Sequence, residues 1–118
     1  MFTSTQIAQF RAALQGKRTQ ILRAREERDS QAAMADAGPG DAVDVAEGVI
    51  EDRDRAALAE HDLALLNEIE HALAKLDAGT YGLSEVSGRP IAIERLKAVP
   101  WARQEAEEAE RMERAMRR

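Results

Sequence analysis

The chain has 118 residues, a net charge of −5 and no cysteine, which bounds it to one small domain or a domain with an extended arm, and excludes disulfides and thiolate metal sites. Hydrophobic residues make up 44% of it, yet only four side chains are aromatic, a balance that suits helices packed along a thin seam better than a thick globular core. The sequence has no apolar run of 18 residues and no N-terminal signal pattern, so the expectation is a soluble, cytoplasmic protein with no membrane partner.

"TSTQ" at residues 3–6 reads as a capping box, with Thr3 as cap and Gln6 three residues on. Apolar or stem-burying side chains then recur at Ile7, Phe10, Leu14, Lys17, Ile21, Ala24 and Arg28. That 3-4 alternation predicts a helix to about Met34. Residues 1–35 carry 6 basic and 3 acidic side chains. "ADAGPGD" follows, and its two glycines and proline break the helix.

A second seam starts from Asp44: Val49, Ala56, Ala59, Leu63, Leu66, Ile69, Leu73 and Leu76. Ala, Leu and Glu dominate it and it contains no Pro, which predicts a long helix ending at "DAGTYG", where Gly79 is a natural C′ residue. Residues 36–78 carry 12 acidic and 3 basic side chains, which argues against broad phosphate-backbone binding and for association with the basic first helix. Two helices of about 30 residues, each ~45 Å long, joined by a short break give an antiparallel αα-hairpin. The fold class expected is therefore all-α, with residues 1–78 a coiled-coil hairpin whose tip lies at about 36–46.

After Gly79 the periodicity changes. "YGLSEVSGRPIAIERLKAVP" is too short and turn-rich for another long helix, with tight turns at Gly82, Gly88 and Pro90. Pro100 is expected to open a last helix, with glutamates early and arginines late, in accord with the helix dipole. Residues 79–118 thus read as a small finger-like module followed by a C-terminal helix. Tyr81, Leu83, Val86, Ile91, Ile93, Leu96 and Trp101 are its expected core, with Tyr81 and Trp101 taken as core rather than as stacking platforms for nucleic acid. The paired carboxylates of "EDRD" and "EAEEAE" have no His, Cys or nucleophile at a usable spacing, so no enzyme and no cofactor is expected.

Two motifs in this order carry a resemblance. "LDAGTYGLSEVSGRPIAIERLKAVPWA" resembles the C-terminal signature of the DksA/TraR family, bacterial regulators of RNA polymerase, at Leu76, Gly79, Tyr81, Gly82, Gly88, Ile91, Arg95, Leu96, Ala98 and Pro100. The upstream "DAVDVA" is similar to the family's DxxDxA tip motif, giving Asp41, Asp44 and Ala46. The resemblance implies a hairpin that enters the secondary channel of RNA polymerase, with the acidic tip near the catalytic metal, and a partner that is RNA polymerase rather than a specific DNA sequence. On local grounds Asp41 and Asp44 are equally well read as turn and N-cap residues.

The family's CxxC…CxxC zinc pattern falls here on Ser84, Ser87, Glu105 and Glu108. Neutral serine is a poor zinc ligand, so these former ligand positions are expected to hold no metal, with the serine hydroxyls donating to the glutamates. Positions at which some members bind the stringent-response alarmone ppGpp with basic residues are Glu68, Val99 and Ala109 here. None pairs with a phosphate, so weak or absent ppGpp synergy is expected. The chain is expected to be a monomer; the alternative is a structural or interaction protein, a degenerate hairpin that binds another partner or self-associates.

Overall fold

The structure is a computed structural model and describes residues 2–37 and 52–117. It is all-α: α1 (Ser4–Ala37), α2 (Asp52–Ala78), α3 (Ile93–Ala98) and α4 (Ala106–Met116). None of the helices among the described residues is long and apolar enough to cross a membrane. The capping box forms at the start of α1, where the Thr3 N–H donates to Gln6 Oε1 at 2.9 Å and the Gln6 N–H donates to Thr3 Oγ1 at 3.1 Å.

The chain divides into two compact units. The first is built from Met1–Gly16 and Asn67–Arg118. Its core draws Phe10 and Leu14 from α1, Ile69, Ala72 and Leu76 from α2, and Tyr81, Ile91, Leu96 and Ala102 from the C-terminal segment. Leu14, Ile69 and Leu96 are fully buried, each contributing about 1.5–3 kcal/mol of apolar burial. Arg11 of α1 donates to Asp77 of α2 at 2.9 Å within this unit.

The second unit is Lys17–Leu66, and its seam is more polar. Arg28 of α1 forms an ion pair with Asp62 of α2, with side chains 21% and 13% exposed. Position 11 meets 77 and position 28 meets 62: the partner number falls as α1 advances, so the helices run antiparallel in a hairpin.

Four sequence expectations need correction. The inward position after Ile21 is Arg25, which is half-buried, and not Ala24, which is exposed; a long arginine stem can cover apolar surface while its head stays in water. In α2, Asp62 is buried at 9% exposure while Leu63 is 50% exposed, and Ala56 also faces water. The Arg28 guanidinium is what makes a carboxylate tenable at that inward position. Val86 is 60% exposed and is no part of the core, because it sits on the outside of a tight turn. Finally, the last helix starts at Ala106 and not at Pro100, with Glu105 as its N-cap. Residues 93–98 form the short α3 instead. The expected helix start at Asp44, and the tip residues Asp41, Asp44 and Ala46, lie outside the described residues.

Candidate functional site

The C-terminal module begins where α2 stops. Gly79 has φ 79°, its N–H donates to Leu76 O at 3.3 Å, and the Thr80 N–H reaches Lys75 O at 2.9 Å. This is a Schellman closure, and it turns the chain into a small hairpin. Leu83 and Pro90 form an antiparallel bridge, flanked by Ser84 N–H to Arg89 O at 2.8 Å and Ile91 N–H to Gly82 O at 2.7 Å. Gly82, with φ 88°, is pressed against Phe2, so that a Cβ there would run into the ring. Phe2, Phe10 and Tyr81 stack as a trio, with centroids 5.2 to 6.1 Å apart. The Tyr81 hydroxyl donates to Pro100 O at 2.8 Å, and burial pushes its pKa up to about 12.

The turn Ser84–Gly88 and the start of α4 bring together Ser84, Ser87, Glu105 and Glu108, the four positions that the resemblance aligns with a zinc pattern. Ser84 is buried. Its hydroxyl donates to Glu108 Oε1 at 2.7 Å and accepts the N–H groups of Val86 and Ser87 at 3.1 and 3.3 Å. The same Glu108 oxygen accepts the Glu105 N–H at 2.9 Å. Glu105 answers by accepting the Glu108 N–H, which completes a capping box at the start of α4. The Ser87 hydroxyl accepts the Arg89 N–H at 3.3 Å, and Arg89 pairs with Glu105 at 3.3 Å. The Glu108 carboxyl is held below its usual range, first by the Ser84 hydroxyl, then by the Glu105 N–H, with smaller help from Ser87 and Arg89 against the opposing effect of burial.

The donor set does not fit zinc. Two hydroxyls and two carboxylates offer neither the thiolate nor the imidazole of a structural zinc site, and Glu108 is already occupied by two hydrogen-bond donors. Among the described residues, no group of three or more His, Asp or Glu side chains is placed to hold a metal ion.

A second cluster, which the sequence reading missed, joins the module to α2. Glu85, next to Ser84, meets His71 at 3.0 Å, Lys75 at 3.4 Å and Arg103 at 3.9 Å. Its N–H also donates to Arg103 O at 2.7 Å. Burial works to raise the Glu85 carboxyl, but the His71 hydrogen bond and the charges of Lys75, His71 and Arg103 outweigh it and hold the group below its usual range. Arg103 donates in turn to Glu68 at 2.7 Å. Glu68, which the resemblance aligns with an alarmone-binding position, is therefore paired with an arginine of its own chain. Val99 is the C-cap of α3, and Ala109 is half-buried on α4.

No family model matches the chain. Its fold is similar over 98% of its length to transcription factor DksA2 from Pseudomonas aeruginosa, with a TM-score of 0.77, 29% identity and 88% of that chain covered. DksA-family transcription factors are thus structural and sequence homologues of this chain, which has no cysteine. Sequence relatives agree. It is 42% identical over 53 residues to the RNA polymerase-binding transcription factor DksA of Caulobacter vibrioides, covering 45% of this chain and 37% of that protein. An uncharacterized protein of Aquifex aeolicus is 46% identical over 57 residues, covering 48% of this chain. These matches span only 39% and 37% of the two curated relatives.

Proposed function

We propose that this chain is a DksA-like transcription regulator that binds RNA polymerase through the secondary channel and modulates initiation with an acidic tip, Asp41 and Asp44 with Ala46. The observation that carries the reading is the likeness to transcription factor DksA2 over 98% of the chain. Two long helices, of 34 and 27 residues, with "DAVDVA" between them supply the kind of carrier such a tip needs. The regulator performs no chemistry of its own. It shifts initiation by binding one polymerase state more tightly than another, and a ligand shifts a two-state equilibrium only by that difference.

In this reading the C-terminal module folds without metal. The Ser84–Glu108–Glu105 hydrogen bonds and the aromatic trio do the joining that a zinc ion does elsewhere, and the Glu85 cluster ties the module to α2. At the three positions that the resemblance aligns with the alarmone site stand Glu68, Val99 and Ala109; none of these side chains pairs with a phosphate, and Glu68 already holds Arg103, so little or no ppGpp synergy is expected there.

Binding of the fluorescently labelled full chain to purified bacterial RNA polymerase core tests the proposal. Saturable binding at or below about 10 µM is expected, of the order of −7 kcal/mol. Absence of binding refutes it and leaves the degenerate-hairpin interaction protein as the better reading.

A further inference from the structure

Asp62 and Leu63 are neighbours on α2 and sit the wrong way round for an apolar seam. Asp62 is 9% exposed and Leu63 is 50% exposed. One residue is ~100° of helical rotation, so turning this part of α2 by one position would carry Asp62 out to water and bring Leu63 inward. Ala56, which lies seven residues before Leu63 and is exposed, would follow it onto the same face. Apolar burial and carboxylate solvation both favour that second setting. What opposes it is Arg28, whose guanidinium donates to the Asp62 carboxylate in the interior of the pair of helices.

We propose that the Arg28–Asp62 pair pins the rotational setting of α2 in the Lys17–Leu66 unit, against a second setting in which Leu63 and Ala56 fill the seam. A buried ion pair is weak as a source of net stability, but breaking it strands a charge, so it discriminates between arrangements. α2 begins at Asp52, eight residues after Asp44 in the sequence. The pin therefore orients the helix end to which the acidic motif is tethered, making Arg28 and Asp62 positioning residues. That consequence for transcription rests on the polymerase reading above; the pin itself does not.

The chain has no cysteine, so one introduced thiol reports without background. Ala56→Cys samples a position exposed in the observed setting and inward in the second. Ala64→Cys samples a neighbouring exposed position that stays outside the seam in both. In the otherwise unaltered full chain, a maleimide labels both at similar rates. Asp62→Lys sets two cations against each other, and is expected to slow labelling at position 56 about 10-fold relative to position 64, as a ~90% shift to the buried setting requires. Adding Arg28→Glu to that chain restores the original ratio. An unchanged ratio in an Asp62→Lys chain with full helical circular dichroism, or failure of Arg28→Glu to restore it, overturns the proposal. If Asp62→Lys does not fold, Arg28→Leu strands Asp62 instead and is read by the same ratio, an unchanged value again overturning it. The labelling needs no polymerase, so its failure is distinct from a failure of polymerase binding.

Discussion

Ser84→Ala takes one hydroxyl out of the turn of the C-terminal module. That hydroxyl makes three hydrogen bonds, one as donor to a carboxylate at 2.7 Å and two as acceptor of backbone N–H groups at 3.1 and 3.3 Å. A hydrogen bond to a charged partner contributes about 1.5–3 kcal/mol and a neutral one about 1, less where the geometry is long. With Ser84 only 4% exposed, water does not replace the lost partner, and the expected cost of the substitution is about 3 kcal/mol. At roughly 4 °C per kcal/mol for a chain of this size, Tm falls by about 12 °C. Ser87→Ala is the internal control: Ser87 is exposed and its hydroxyl accepts the Arg89 N–H at 3.3 Å, so the loss there stays under about 1 kcal/mol. Urea and thermal melts followed by circular dichroism give both numbers. Equal losses at the two serines, or a Ser84→Ala loss below about 1 kcal/mol, would refute the reasoning that Ser84 is the joint of a metal-free module.

Other consequences are as direct. Chelators leave Tm unchanged and elemental analysis finds zinc far below one per chain; stoichiometric zinc, or melting brought forward by a chelator, contradicts the metal-free module. Glu85 and Glu108 both titrate below the usual 4.5 when folded. The unfolded chain therefore binds more protons, and their stabilisation is fully present above about pH 4.5 and is lost as pH falls through the folded values. A Tm-against-pH series shows this as an acid limb that Glu108→Gln flattens; a limb of unchanged slope in that variant is the contrary result. Leu96→Ala, at a site with 0% exposure, costs about 2–5 kcal/mol, whereas Val86→Ala, at 60% exposure, stays within about 0.5; equal costs would place the core elsewhere.

The hairpin was legible because its signals are local. Thr3 and Gln6 form the cap that their spacing announces, and Gly79 closes α2 in the left-handed conformation that glycine tolerates. Phe10, Leu14, Lys17 and Ile21 recur at 3-4 spacing, and all four are buried or half-buried. What failed to show were choices made by partners distant in sequence. Asp62 turns inward to meet Arg28, 34 residues earlier; hydrophobicity alone puts Leu63 there. Glu85 reads as a turn residue, since His71, Lys75 and Arg103, which make it a junction, lie 10 to 18 positions away. The last helix begins late because Glu105 and Glu108 cap each other. Pro100 instead offers its carbonyl to Tyr81. Of the candidate site, Ser84, Ser87, Glu105 and Glu108 were named by the family resemblance and its zinc pattern, and nothing in the composition or spacing of serine and glutamate alone marks them. The tip residues were named by their motif and lie outside the described residues.

Promoter-specific transcription by bacterial RNA polymerase, with the full chain compared against its Asp41→Asn/Asp44→Asn variant, tests the central claim most directly. The account predicts that the variant still binds polymerase, with affinity within a few-fold of the parent, and no longer alters initiation. A variant that regulates as well as the parent would contradict it.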